Sequence, residues 1–558
     1  MHMMYNWENQ LWGMLFRFME VTSHAAPTIL VGFFVAGIIK RLLGYELTKS
    51  LFGGATLRSI PQAWLIGMLL PVCSLGAIPV VRQLHKAGVP GGAILAFALS
   101  APLFNPISLL YGLSLSNPTV ILTFALLSLL IVTIVGVLIE RCFPFPPRTA
   151  EIVPPVSYGI RRMLAIGVHA AREAYSGQGV YLAVGLLGSA LLSLFLPYGF
   201  LQDKAERVDA WAPLFMAAVS LPMYETPMTM IIKLGDMFQH GNSVGAAFAL
   251  MILGAGVNAG VVVWLWLHYG KSRTFGCVGT LFLIVVALSY LVDAPLTPKG
   301  VTAAGHTHAF DVYCSPFHPN DTVNWAVVSD RFQKGLPLFE LISLMGWAAL
   351  LLCGWFLTRA TRLDRLERWL EVPVDRSGSL DVELSPKVLG SLGLVGLIAA
   401  SVLGCFLYYP PIEEIFEELK QSQIPLAAAG VTGDWDGVNY WLPVVDDWSR
   451  RIQVSAYLRR IPQSQFHEMK ARIFRDKLDL LRHAAEDRDP EEARAASFAV
   501  QRAFGRFRSA YLPETAPTPK QVGSSETDEA TALPADADVP PEPPPQESPA
   551  QPATGGLP

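Results

Sequence analysis

Charge is scarce in this chain. Lys, Arg, Asp and Glu make up 16% of its 558 residues, against roughly 25% in ordinary soluble domains. Hydrophobic residues account for 52% and mean hydropathy is +0.37. A water-soluble globule is excluded, and the composition is that of an integral membrane protein. With a net charge of −4, nothing suggests nucleic acid as a partner. The six cysteines (Cys73, Cys142, Cys277, Cys314, Cys353 and Cys405) have no CxxC spacing, so no disulfide framework or zinc ribbon is implied. The start of the chain lacks the basic stretch and cleavage site of a signal peptide, so the first apolar run is expected to be kept as a helix. No P-loop, nucleophile elbow or HExxH occurs, so ATP-driven pumping by this chain alone is not encoded. No nucleophile–base pair can be identified either. The chain is read as a non-enzyme without a cofactor.

In place of charge the chain has apolar length. A bilayer core about 30 Å thick needs about 20 apolar residues per helix. Ten runs fit or nearly fit: 25–41, 62–81, 91–113, 118–139, 180–200, 211–232, 243–268, 275–292, 337–357 and 388–409. Ahead of them, Tyr5, Trp7, Trp12, Phe16 and Phe18 predict an interfacial helix lying on the membrane.

Two of these runs match in register. Gly92-Ala93-Ile94-Leu95-Ala96-Phe97 leads to Asn105, and Gly245-Ala246-Ala247-Phe248-Ala249-Leu250 leads to Asn258, thirteen residues on in each case. Each follows a run broken by proline: Pro71 to Pro79 in the first half, Pro222 to Pro227 in the second. Paired interrupted segments in two halves of a membrane protein point to a transporter's binding site.

Basic residues mark cytoplasmic links. They follow the first run (Lys40, Arg41, Lys49, Arg58), the fourth (Arg141, Arg148, Arg161, Arg162, Arg172) and the ninth (Arg359, Arg362, Arg365, Arg368). Ten plain crossings would put the first two clusters on opposite sides. If 62–81 and 211–232 are re-entrant hairpins, all three clusters fall on one side, together with Arg82, His85, Lys86, Lys271 and Arg273. The expected fold is thus an all-α polytopic membrane protein of eight spans and two hairpins, in inverted repeats that each hold a broken, re-entrant segment. Its expected parts are an interfacial helix (1–24), a first repeat (25–140), a cytoplasmic loop (141–178) and a second repeat (179–293). An extracytoplasmic loop (294–336) and two more transmembrane helices with a cytoplasmic link (337–409) follow. Residues 410–511 read as a small extracytoplasmic helical domain, with Trp435, Trp441, Trp448 and Tyr457 as core candidates. The tail 512–558 is too rich in Pro, Ala, Glu, Ser and Thr to bury enough surface to order.

Irregular backbone at membrane depth is tolerated where it is protein-buried or lines a cavity. The candidate substrate residues therefore sit at the breaks: Cys73, Ser74, Asn105, Tyr224 and Asn258, with Ser100 as a weaker one. Cys73 is either a soft ligand or a small packing residue. The two asparagines either meet substrate or hydrogen-bond between helices. Glu225 is the clearest ionisable group within the bilayer and a candidate for proton coupling; the alternative is a Glu paired with Lys233 or capping a half-helix. In the extracytoplasmic loop, His306, His308, Cys314 and His318 are candidate metal ligands, or solvated turn residues.

The motif Pro71-Val-Cys73-Ser74-Leu-Gly76-Ala-Ile-Pro79, then Lys86-Ala-Gly88-Val-Pro90-Gly-Gly92-Ala and Ala101-Pro102-Leu-Phe-Asn105-Pro106, resembles the predicted-permease family, whose characterised branch is the organoarsenical efflux (ArsP-like) permeases. The resemblance covers about residues 25–293. It implies a polytopic inner-membrane permease, and in the best-known members export of trivalent organoarsenicals using cysteine near the broken segment. The family pattern usually reads Cys-x-Cys-Gly, whereas here Cys73-Ser74-Leu75-Gly76 lacks the second cysteine.

These features together read as a multi-pass permease of the bacterial plasma membrane. It would move a small solute, with an organoarsenical or soft metal(loid) as the family-weighted substrate, by alternating access. Its partners are that substrate, the lipid bilayer and, as an open alternative, a second copy of the chain in a homo-oligomer. The competing readings are a channel of the same fold and a membrane anchor for the C-terminal domain.

Overall fold

Prolines and small polar residues set where the helices of this protein stop and restart. The computed structural model describes residues 6–52, 58–115, 118–142, 160–297, 306–359, 366, 369–370 and 386–512, and among them every regular element is helical. Six helical stretches are long and apolar enough to cross a membrane. They are α1 (Trp7–Ile38, extended by a π-helical turn to Leu43), α7 (Pro118–Cys142), α9 (Gln178–Phe195), α14 (Lys271–Leu296), α16 (Leu338–Arg359) and the Ser391–Tyr408 part of α17 (Pro386–Tyr408). The intervening helices are short: α2 (Tyr45–Leu51), α3 (Ser59–Leu69), α4 (Ser74–Lys86), α5 (Gly91–Ser100), α6 (Pro106–Leu115), α8 (Ile160–Ala174), α10 (Ala212–Ser220), α11 (Pro227–Gln239), α12 (Val244–Ala249, with a π-helical turn to Ala255) and α13 (Ala259–Tyr269). Helix α15 (Trp325–Gly335) and a bundle of α18 (Ile412–Thr432), α19 (Trp435–Leu458), α20 (Gln465–Glu486) and α21 (Pro490–Tyr511) complete the described chain.

The two halves repeat at a constant offset. Helices α3, α4, α5, α6 and α7 begin at Ser59, Ser74, Gly91, Pro106 and Pro118. Their counterparts α10 to α14 begin at Ala212, Pro227, Val244, Ala259 and Lys271, each 153 residues later. Both proline-containing runs are broken, one between Leu69 and Ser74 and the other between Ser220 and Pro227. The helix pairs α12 and α13 bend by 55°. At the α4–α5 and α11–α12 turns, Gly88 (φ 71°) and Gly241 (φ 65°) occupy the same repeat position, a left-handed conformation that glycine adopts without a Cβ penalty.

The interfacial helix expected at 1–24 is not a separate element. Asn6 caps the N–H groups of Glu8 and Asn9, and α1 runs as one helix from Trp7 to Ile38, through Pro27, which lacks an N–H to donate. Its aromatic face packs on protein instead of lipid: Phe16 meets Phe317 edge-on at 6.0 Å. The Asn9 amide donates to the carbonyls of His318, Pro319 and Asp321. Arg17 donates to those of Cys314 and Asp311.

Helix α1 has 32 residues and is about 48 Å long at 1.5 Å per residue, enough for its two ends to stand on opposite faces of a bilayer core about 30 Å thick. Loop 306–321 lies at its start. At its other end, Lys40, Arg41, Arg82 and Lys86 all stand near His169 of α8, and Arg172 of α8 donates to the carbonyl of Leu357 near the end of α16. His85 meets the hydroxyl of Tyr269, just before α14, at 2.7 Å. Lys40, Arg41, Arg82, Lys86 and Arg172, from separate links, thus gather around α8. Arg148, Arg362, Arg365 and Arg368, and the tail from 513 onward, lie outside the described residues.

The C-terminal bundle has its own core of Phe416, Leu419, Val445, Ile452, Phe474, Leu481, Val500 and Phe507. The tryptophans expected to form it do not: Trp435, Trp441 and Trp448 pack on its margin, and Tyr457 is exposed. Aliphatic and Phe side chains fill the narrow seam between four helices better than indoles whose N–H needs a partner. The bundle docks on the first repeat through Tyr111, which donates to Asp447 at 3.1 Å, and Tyr409, just before it, donates to the Ile107 carbonyl at 2.8 Å.

Candidate substrate site

Each interrupted segment restarts with a capped half-helix. Cys73 caps α4, its sulfur accepting from the Gly76 N–H at 3.2 Å. Thr226 caps α11 in a reciprocal box with Thr229. The Asn105 side-chain oxygen accepts from the Ser108 N–H at 2.8 Å at the start of α6, and that of Asn258 from the Val261 N–H at 3.0 Å at the start of α13. Short polar residues are preferred at such positions because they satisfy N–H groups that the helix itself cannot. Cys73 and Thr226, like Asn105 and Asn258, stand 153 residues apart. The asparagine spacing visible in the sequence is therefore a capping pattern, which uses one end of each side chain.

The other end is left over where burial is complete. Asn258 is 0% exposed, and its Nδ2 has no hydrogen-bond partner. The Ser74 hydroxyl, also fully buried, has none. The Tyr224 hydroxyl lies beside Cys73 and Thr28 yet completes no well-formed hydrogen bond. Buried polar atoms almost always find partners, so three orphans at neighbouring helix breaks are the clearest sign of a ligand position in the repeat core.

Packing brings these breaks together. A Cβ on Gly185 of α9 would stand 2.4 Å from the Leu75 side chain and 3.0 Å from the Asn258 side-chain oxygen, so the starts of α4 and α13 meet at that glycine. One on Gly256 would lie 3.3 Å from Leu103, which brings the α5–α6 and α12–α13 breaks together. Thr28 of α1 donates to the Cys73 sulfur at 2.9 Å. The Cys73 sulfur thus accepts two hydrogen bonds and lies beside the orphaned Tyr224 hydroxyl. Asn105 is half-buried, and Ser100 donates to the Phe97 carbonyl within α5.

Glu225 is partnered. Its carboxylate accepts from the Tyr313 hydroxyl at 2.6 Å and is also bonded by the Thr229 hydroxyl and the Lys233 ammonium. Lys233 lies over the Tyr313 ring at 4.8 Å. Thr28 and Tyr313 escaped sequence reasoning. Thr28 is one of several polar residues along α1 and nothing near it in sequence marks it out, and Tyr313 arrives from a loop 88 residues away from Glu225.

The four loop residues proposed as metal ligands separate. His306 and His308 come together, but with His483 of α20. Cys314 is buried beside Arg17, and His318 lies against the Tyr198 ring at 6.0 Å. A short 3₁₀ turn at Asp311–Tyr313 sends the later residues back toward α1, so sequence proximity does not hold the four together.

A multi-pass helical protein with two matched sets of broken helices around a buried polar centre is a membrane permease in class. The chain belongs to the predicted-permease family, whose sequence profile matches residues 11–294. It is 25% identical over 286 residues to UPF0718 protein YcgR of Bacillus subtilis, covering 49% of this chain and 95% of that protein. It is 27% identical over 92 residues to a putative two-component membrane permease complex subunit of Streptococcus mutans, covering 16% of this chain and 31% of that one. No solved structure matches. Helices α15 to α21 lie beyond the family match.

Proposed function

We propose that this protein is a secondary-type permease of the bacterial plasma membrane that moves a small soft species, an organoarsenical or related metalloid, by alternating access between two inverted repeats. The observation that carries the reading is the set of orphaned polar atoms at the neighbouring helix breaks, Ser74 Oγ, Tyr224 OH and Asn258 Nδ2, with the Tyr224 hydroxyl beside the sulfur of Cys73. A thiolate suits arsenic(III), and the positive ends of half-helices suit an anionic group on the same solute. Cys73, Ser74 and Asn258 are all fully buried, which supports a closed state of a carrier over an open pore. With the basic clusters taken as cytoplasmic, loop 306–321 and the C-terminal bundle face outward.

Glu225 takes the coupling role in this scheme: its proton would be exchanged as the Lys233 and Tyr313 contacts open and close. The test is an export assay in a sensitive host with arsenicals, antimonials and soft metals. Wild type should confer resistance to a trivalent organoarsenical. Cys73→Ser, which retains an oxygen to cap Gly76, should lose that resistance while reaching the membrane at normal levels. Full resistance in Cys73→Ser would remove the sulfur from the substrate site.

A further inference from the structure

Three imidazoles from two distant stretches aim the same nitrogen at one another. His306 Nε2 lies 2.7 Å, and His308 Nε2 3.2 Å, from Nε2 of His483. One shared nitrogen has a single proton or lone pair to offer, so it cannot serve both neighbours by ordinary hydrogen bonding. A cation between the three satisfies all of them. Nitrogens bound at about 2.0–2.1 Å in a tetrahedral site lie about 3.3–3.4 Å apart; His308 and His483 already stand near that spacing, and His306 would move back by about half an ångström.

The rings are also oriented from behind. His308 Nδ1 lies 3.0 Å from both Asp311 Oδ2 and Glu486 Oε1, the carboxylate–imidazole arrangement that turns the opposite nitrogen toward a metal. Asp479, one turn before His483, places a carboxylate oxygen 3.9 Å from His483 Nε2 and forms an adjoining group with His240 and His306, whose ligand atoms lie within 4.8 Å of one another. His240 stands beside the group, with Nδ1 2.9 Å from the Asp236 carbonyl and Nε2 3.3 Å from Asp479.

We propose that His306, His308 and His483, with the Asp479 carboxylate as fourth donor, bind one divalent first-row transition ion of the Zn²⁺ type, and that the ion clamps α20 of the C-terminal bundle to the loop after α14. Imidazole and carboxylate suit such an ion, and the absence of a thiolate from the cluster separates it from the soft chemistry at Cys73. The site is independent of the substrate reading. It is formed largely by residues beyond the family match, which ends at 294, so it is an addition of this chain to the permease core. Its position also connects it to the core twice. The loop continues from His308 to Tyr313, which bonds Glu225, and α11 runs from its cap at Thr226, next to Glu225, to His240.

The test uses the full-length protein in detergent, stripped with a chelator and titrated with Zn²⁺ against a chromophoric competitor, then with Co²⁺ by visible absorption. One ion per chain, tetrahedral Co²⁺ bands and a raised thermal midpoint with Zn²⁺ are expected. His483→Gln should weaken binding at least tenfold and abolish the bands, whereas His318→Gln and Cys314→Ser should leave both intact. His483→Cys, which restores a ligand, should regain binding and add a thiolate charge-transfer band in the near ultraviolet. The proposal is overturned by the lack of a saturable site in the wild type, by unchanged binding in His483→Gln, or by His483→Cys that folds yet shows no charge-transfer band.

Discussion

Glu140 and Asp293 perform the same task in the two halves of the molecule. Glu140, near the end of α7, accepts the Gly92 N–H at 3.2 Å, and Asp293, near the end of α14, accepts the Gly245 N–H at 2.8 Å. Each acid thereby satisfies the first turn of a broken helix and places negative charge at its positive end. Asp293 additionally accepts from the Ser243 hydroxyl at 2.9 Å. The Gly92 and Gly245 positions also need glycine for contact: a Cβ there would lie 2.6 Å from the Gly136 carbonyl oxygen and 2.5 Å from that of Ser289.

Because Asp293 serves two donors and Glu140 one, their losses should rank. Asp293→Ala is expected to cost about 1–2 kcal/mol and Glu140→Ala about 1 kcal/mol or less, in line with lost helix caps. Thermal stability of the two variants in detergent, read by intrinsic fluorescence, checks the order. Equal midpoints in the two variants would overturn the ranking, and midpoints equal to wild type would show that the caps contribute nothing measurable.

The crossing of α1 over α4 allows no side chain. A Cβ on Gly76 would stand 2.4 Å from the Thr28 carbonyl oxygen, and one on Gly32 2.0 Å from that of Gly76. Gly76→Ala must push the helices apart beside Cys73, at a cost of about 1–3 kcal/mol or more. Gly279→Ala meets nothing within 4 Å and serves as the control. The yield of monodisperse protein should fall for the first variant and hold for the second.

Replacing Glu225 by Gln removes the charge while keeping the shape. If this carboxylate carries the coupling proton, Glu225→Gln will bind substrate but move it at a rate that no longer responds to a pH gradient in proteoliposomes. The double variant Glu225→Gln/Lys233→Met, which leaves no unpaired buried ammonium, should behave in the same way. Retained gradient dependence in both would assign the proton elsewhere.

His169 lies on α8, outside the long spans. Burial, and then the charges of Lys40, Arg41, Lys86 and Arg82, push its pKa down to about 2 from the ordinary 6.5; Glu173 stands 4.0 Å from its ring. The unfolded chain takes up a proton that the folded chain refuses, so stability falls as pH drops below about 6.5. At pH 5.5 the loss from this residue is about 1.4 kcal/mol. His169→Gln should flatten that part of the acid limb in a thermal-stability series from pH 8 to pH 5.

The helix breaks were legible because they are local chemistry. Pro71, Pro102, Pro222 and the two asparagines act on the backbone within a few residues of themselves, and their spacing marked both half-helix starts of α6 and α13. The interfacial helix was misread because aromatics at helical spacing look alike whether they face lipid or a folded loop, and only the return of residues 311–321 to α1 distinguishes the two.

The amino-acid sequence alone determined that this protein lives in a bilayer, that it is built twice over, and where each half is interrupted. These are properties of hydropathy, repetition and backbone preference, all carried by neighbours along the chain. Tertiary packing alone decided that Thr28 and Tyr224 meet Cys73, that Tyr313 closes on Glu225, and that His483 joins His306 and His308. Such contacts depend on how helices cross and loops return, and nothing within a few residues of either partner encodes them.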